Sequence, residues 1–177
     1  MWIVNLFKHF NTITKHRHQV IKHCFNAGIG FQGLFHDLSK YHPKEFFVGV
    51  KYYQGTRSPN EQERDVKGYS SAWMHHKGVS KHHFEYWTDY SPIERKVVPV
   101  KMPIKYVKEM FCDRLAASKI YLGNKYNESE PLEYFLRAKE HRFIHKDASD
   151  LLENWFIMLK EKGELQTFAH IKSITTY

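Results

Sequence analysis

Apolar residues recur along this chain at intervals of three and four, and glycine or proline closes nearly every such run. Over residues 12–27, Ile13, Val20 and Cys24 fall on one helical stripe, and Gly28 and Gly30 follow where a helix ends. A short helix is expected over residues 31–39. Pro43 suits the first position of a helix over 43–53, with Phe46, Phe47 and Val50 inward. Residues 54–66 are polar and include Gly55 and Ser58-Pro59-Asn60, the composition of an exposed loop with some helix at its end. A helix over 69–77 is broken by Gly78, and Pro92, Pro99 and Pro103 keep the next stretch extended or only briefly helical. Three further helices fit 103–122, 131–140 and 147–162, the first stopped by Gly123-Asn124 and the last by Gly163. No repeat and no alternating strand interrupts the pattern, which predicts an all-α fold. A chain of 177 residues holds one well-buried core and is too short for two ordinary domains.

The net charge of +8 attracts anions, whether phosphorylated small molecules, nucleic acid or anionic membranes. That charge is dispersed, with no block of five basic residues of the kind that forms a nucleic-acid-binding tail. Cys24 and Cys112 belong to no CxxC pair and lie in apolar helical stretches, so they read as buried free thiols of a reducing compartment. The opening run from Trp2 to Phe7 is short for a signal peptide, and nowhere do eighteen apolar residues run together. A soluble, cytoplasmic protein with no membrane span is expected.

His36-Asp37-Leu38-Ser39-Lys40 sets a histidine beside an aspartate, with a lysine three positions beyond the acid. Such pairs arise by chance; the company this one keeps gives it weight. His16 lies upstream, His75-His76 and His82-His83 downstream, and Asp113 within a helix. Imidazole and carboxylate together form the ligand set that suits Mn, Fe, Co, Ni or Zn. His16 edges the stripe of Ile13 and Val20, while His18, near Ile21 and Phe25, is a rival that periodicity does not eliminate. On a helix, His36 and Asp37 diverge by roughly 100°, which lets the carboxylate lie between two metals while the imidazole binds one. Leu34, Phe35 and Leu38 flank the pair and predict that it is buried, where a charge needs a partner. The plainer reading makes Asp37 a helix cap and Lys40 one of many surface lysines. Four imidazoles fall within residues 75–83; His76 follows Ala72 by one turn, and His75 follows Ser71 on a more exposed face. Here the plainer reading is a histidine-rich surface loop. Asp113 lies too deep in its helix to cap it and has Met110, Ala116 and Ala117 one turn away, so it faces inward, as a ligand or as an ion-pair partner of Arg114 or Arg137.

Taken in order, His16, His36-Asp37, the paired histidines and Asp113 resemble the HD superfamily of metal-dependent phosphohydrolases. A closer resemblance, over nearly the whole length, is to the DUF5662 family. It is carried by residues 32–41 (QGLFHDLSKY), 72–77 (AWMHHK), 82–87 (HHFEYW) and 110–113 (MFCD), and it aligns Thr14-Lys15-His16 in favour of His16. The resemblance implies an HD-like helical bundle, with a metal-bearing part over about 12–122 and additional C-terminal helices packed around it. It implies that His16, His36, Asp37 and Asp113 serve one divalent metal, and that Asp37 bridges to a second held by His76, His82 and His83. Ser39 replaces the glycine usual in the superfamily's cyclic-dinucleotide phosphodiesterases, and their glycine-tyrosine-proline signature is missing, which argues against cyclic-di-GMP cleavage.

The implied reaction is hydrolysis of a phosphate ester, in a small molecule or nucleotide, by a metal-activated water. Two divalent ions against Asp37 and Asp113 leave a positive site, and Lys40 steadies the phosphoryl oxygens. The same ligands serve a di-iron oxygenase in some HD proteins, such as myo-inositol oxygenase. A third reading is non-enzymatic: a basic helical protein binding nucleic acid with steep salt dependence.

Overall fold

The computed structural model describes residues 2–177, whose regular structure is helical apart from one short hairpin. In chain order the elements are α1 (Trp2–Asn26), α2 (Gly30–Gly33), α3 (Pro43–Lys51), α4 (Pro59–Lys67), α5 (Ser71–Val79), β1 (Thr88–Ser91), β2 (Lys96–Pro99), α6 (Ile104–Leu122), α7 (Glu130–Arg137) and α8 (Lys146–Ser173). The expected all-α class is what forms. Among the described residues no helix is long and apolar enough to cross a membrane.

The fold is organised around α6, which presents two chemically different sides. Phe111, Cys112 and Leu115 enter the apolar core with Val20 and Cys24 of α1 and Leu152, Trp155 and Phe156 of α8. Phe111 stacks on Phe156 at 5.0 Å between ring centroids and meets Trp155 and Phe168 edge-on at 5.9 and 5.8 Å. Both cysteines are free and buried. The other side of α6 carries Glu109 and Asp113, one turn apart and therefore on one face. Thus α7 and α8 build the core behind α6 and add no side chain to the histidine–carboxylate cluster in front of it.

Several elements depart from the periodicity. Helix α1 begins at Trp2 because its first turns are held by aromatic packing on α3: Trp2 stacks on Phe47 at 6.3 Å, and Phe10 meets Phe46 edge-on. Phe47 is consequently half-exposed, and Glu45, not Phe47, is the buried partner of Val50 on α3. Residues 59–67 are helical because Ser58 caps the Asn60 amide and Pro59 starts the helix, the ordinary pair of entry signals. Its buried carboxylate, Glu63, is held by Ser70, Ser71 and Lys67 at 2.7, 2.6 and 2.9 Å. The proline-rich stretch forms a two-stranded antiparallel hairpin, Thr88 opposite Pro99. Its strands are four residues each with half of the residues exposed and none buried, too short to show alternation. Gly163 does interrupt the last helix, at φ 75° and ψ 173°, but Glu128 accepts from the Glu164 amide and restarts it as far as Ser173.

Gly33 sets how closely α2 lies on α1. A β-carbon there would stand 2.5 Å from Cys24 Cβ. Gly33→Ala is expected to cost about 1–3 kcal/mol through overpacking, read as a lower melting temperature. An unchanged melt would mean that α2 moves freely off α1 and does not anchor the turn that follows.

Candidate metal centre

His36 and Asp37 lie not on a helix but in the turn after α2. Asp37 adopts φ 54° and ψ 25°, a left-handed conformation that aspartate tolerates better than most residues. It opens a 3-10 turn over Leu38–Tyr41. Three residues per turn eclipse positions i and i+3, which brings Lys40 Nζ to 2.5 Å from Asp37 Oδ2. Arg17 pins the turn onto α1, its Nε donating to the His36 carbonyl at 3.1 Å and its guanidinium also to that of Leu34. The flanking residues do not bury the pair, as their apolarity suggested. Leu34, Phe35 and Leu38 are exposed, whereas His36 and Asp37 are buried against α1, α5 and α6. Polar chemistry turned inward and apolar side chains turned outward is the reverse of ordinary folding economy.

Two quartets of ligand atoms share Asp37. His16 Nε2, His36 Nε2, Asp37 and Asp113 form the first, with Asp37 Oδ2 3.1 Å from His36 Nε2 and 3.7 Å from His16 Nε2, and Asp113 Oδ1 2.9 Å from His16 Nε2. Asp37, His76, His82 and His83 form the second, with Asp37 Oδ1 3.2 Å from His76 Nε2 and 3.4 Å from His82 Nε2. His76 Nε2 and His83 Nε2 face each other at 2.9 Å. Every residue implied as a ligand is therefore in the cluster. His18 is exposed on α1 and outside it, and His75 points instead to Glu45 Oε1 at 2.6 Å. Arg114 and Arg137 form no ion pair with Asp113, whose partners are His16 and His36.

The residues fit a metal by a direct test. Asp37 Oδ1 and the Nε2 atoms of His16, His36 and His82 are buried without a hydrogen-bond partner, and Asp37 Oδ2, equally buried, has only its ionic contact with Lys40 as a donor. Leaving so many buried polar atoms unsatisfied is costly, and all of them converge on the two quartets. The opposite ring nitrogens of His36, His76 and His82 face carboxylates. Glu109 Oε1 accepts from Nδ1 of His36 at 2.8 Å and lies 3.3 Å from Nδ1 of His82. Glu45 Oε2 accepts from Nδ1 of His76 at 2.9 Å, with Ser39 Oγ at 2.9 Å from the same nitrogen. A carboxylate on Nδ1 puts the proton there and leaves Nε2 as a lone pair for a cation. Ser39, the departure from the glycine pattern, thus has a place in the outer ring.

Glu45 and Glu109 also change the charge balance. Asp37, Asp113, Glu45 and Glu109 against Lys40 leave three negative charges when the histidines are neutral, and two divalent cations convert this to one positive. The site is less cationic than two aspartates alone imply. Its need for positive charge appears in the titrating groups. Burial opposes ionisation of Asp37, but His36, Lys40 and His76 outweigh it and hold the carboxyl well below its usual range. Burial likewise opposes charge on His36, yet Asp37, Asp113 and Glu109 raise it well above. Glu109 falls to about 2, with burial opposed by hydrogen bonds from His36 and His82. Burial and then the neighbouring His82 and His76 keep His83 neutral.

A cavity of about 500 Å³ opens beside the cluster and is bounded at that end by His16, Lys40, His83 and Asp113. Arg57, Asn60, Glu61 and Arg64 line it as well, so the polar 54–66 stretch is one of its walls. A smaller cavity of about 350 Å³ reaches the opposite side at His36, His82 and Glu109.

An all-helical fold wrapped around a buried histidine–carboxylate centre with open space beside it defines a class of candidate metalloprotein. Within that class, the chain belongs to the DUF5662 family, a family of unknown function whose model matches residues 5–158. No curated protein and no solved structure matches the chain.

Proposed function

We propose that the protein is a dinuclear metal-dependent phosphohydrolase of the HD type, acting on a phosphate ester of a small molecule or nucleotide. The observation that carries this reading is the division of Asp37, whose two buried oxygens each face a separate set of imidazole Nε2 atoms. His16, His36, Asp37 and Asp113 would hold one divalent ion, and Asp37, His76, His82 and His83 the other. A histidine-rich set with two carboxylates suits Mn, Fe, Co, Ni or Zn over Mg or Ca. When bound, the ions supply Lewis acidity and a water acidic enough to attack phosphorus near neutral pH.

The chain's own part is positioning. Glu109 and Glu45 would fix the tautomers of His36, His82 and His76, so that the Nε2 of each of these three rings offers a lone pair before substrate arrives. Lys40 borders the cavity at the cluster, and its ammonium stays charged: burial opposes this, but Asp37 and Asp113 raise its pKa. It is the group placed to bind a phosphoryl oxygen as charge develops there.

Protein purified without a histidine tag is expected to carry close to two equivalents of transition metal and to hydrolyse p-nitrophenyl phosphate or bis(p-nitrophenyl) phosphate. Lys40→Ala should retain the metals and lose about 10²–10³ in kcat, the magnitude of a transition-state charge contact. Two equivalents of iron with oxygen uptake and no hydrolysis would move the reading to an HD-type oxygenase. Salt-sensitive DNA or RNA binding by a protein that takes up no metal would replace both with a nucleic-acid-binding function.

A further inference from the structure

Beyond the ligand cluster, the large cavity is walled by α6, α7 and the segment leading into α8, and this flank is rich in arginine. Arg114, Arg137 and Arg142 line this flank and Arg64 lines the cavity from α4, and among the described residues none of the four has a carboxylate within ion-pair distance. The carboxylates on the same walls outside the cluster are Glu61, Glu85 and Glu130, one fewer than these arginines.

Arg114 and Arg142 carry the strongest signal. Arg114 follows Asp113 on α6, and its guanidinium makes no hydrogen bond among the described residues, although the residue is only partly exposed. Arg142 is held in place by α7: its two terminal nitrogens donate to the carbonyls of Phe135 at 2.7 Å and Tyr134 at 3.2 Å. Its guanidinium lies over the Phe135 ring, 4.8 Å from the centroid. The two guanidiniums face the same cavity. Burial first, and then the charge of Arg114, lower the pKa of Arg142 to about 10. A protein keeps like charges together in a partly desolvated pocket at a cost, which an oxyanion bound between them offsets. Arginine's planar fork matches phosphate and carboxylate oxygens in pairs.

We propose that Arg114 and Arg142 form a second anion subsite in the cavity, so that the ligand is a molecule with two acidic groups. One, the phosphate ester, faces Lys40 and the cluster; the other, a second phosphate or a carboxylate, sits on the guanidiniums. The first half of this statement rests on the phosphohydrolase reading, and the subsite itself does not. Glu85 is the carboxylate facing this flank, and its Oε2 is buried without a hydrogen-bond partner. It accepts a hydroxyl or amine hydrogen of the same ligand more readily than it tolerates an anion beside it. The ligand class is therefore a hydroxylated or aminated diacid phosphate.

Isothermal titration of inorganic phosphate, and separately of acetate, tests the subsite in the metal-loaded protein and after chelation. Two phosphates per loaded chain and one per chelated chain are expected. Arg114→Gln should weaken the site that survives chelation by about tenfold or more, since it removes charge-assisted hydrogen bonds. The Arg114 guanidinium makes no hydrogen bond among the described residues, so this variant is not expected to disturb the fold; Arg142→Lys, which keeps a donor toward the α7 carbonyls, is the second variant. Survival of phosphate binding assigns a phosphate end, and survival of acetate binding alone a carboxylate end; either upholds the subsite. One phosphate per loaded chain, abolished by chelation, overturns it and leaves the metal centre standing. Binding after chelation that neither arginine variant weakens overturns it as well.

Discussion

Asp37→Asn is expected to strip both metals from the protein. The variant isolates charge from shape, because asparagine is among the few residues that accept the left-handed conformation at φ 54° and ψ 25°. Asp37→Ala removes the same charge and adds roughly 1–2 kcal/mol of backbone strain, so the two variants differ in melting temperature but agree in metal content. The loss should exceed the roughly 10–100-fold in affinity that outer-ring partners typically contribute, because each quartet uses one oxygen of this carboxylate. Removal also frees Lys40 from its nearest anion, leaving a part-buried ammonium among imidazoles that no longer share a counter-charge. Elemental mass spectrometry on the two variants, purified in parallel with the wild type, decides the matter. Full metal content in Asp37→Asn would show that the quartets do not depend on Asp37, and the bridging reading would be lost with it.

How much of this was legible before the structure depends on the range of each contact. Helical segments and their stops follow from local rules, and Gly28, Pro43 and Gly163 act where those rules place them. The His36-Asp37 turn was misread as helix because a left-handed aspartate leaves no trace in apolar periodicity. Its burial was inferred for the wrong reason, since Leu34, Phe35 and Leu38 face outward. Burial comes from the way the turn is pressed between α1 and α6, a tertiary fact. Periodicity alone leaves His16 and His18 open; the family resemblance favours His16, and α6 brings Asp113 to 2.9 Å from its Nε2. Glu109 had a usable signal that went unread: it precedes Asp113 by four residues and so shares its face. Glu45 had none, because its partners His75 and His76 lie on another helix and no local spacing links them. The same holds for Arg114 and Arg142, which line one cavity from α6 and from the approach to α8; in the sequence Arg114 offers itself only as an ion-pair partner of Asp113 and Arg142 only as part of the dispersed charge.

Glu109 and Glu45 make the cluster testable as two coupled sites instead of one. Glu109 faces Nδ1 of His36, a first-quartet ligand, and Nδ1 of His82, a second-quartet ligand, with the same oxygen. Glu109→Gln replaces an acceptor that carries full charge with a neutral amide, and the amide can also turn its NH₂ toward the rings. Either outcome weakens the preference for a proton on Nδ1 in both histidines at once. A fall of about 10–100-fold in affinity is expected at both metals, seen as both equivalents dissociating at lower chelator concentration. Glu45 instead supports His76 in the second quartet, and its other oxygen goes to His75, which is outside the cluster. Glu45→Gln should therefore weaken one equivalent and spare the other. The contrast is stronger than either result alone. A general loss of stability would move both metals in both variants, whereas tautomer control predicts two in one and one in the other. If the two variants release metal identically, the outer carboxylates serve only to hold the fold, and the two-site division around Asp37 loses its best independent support.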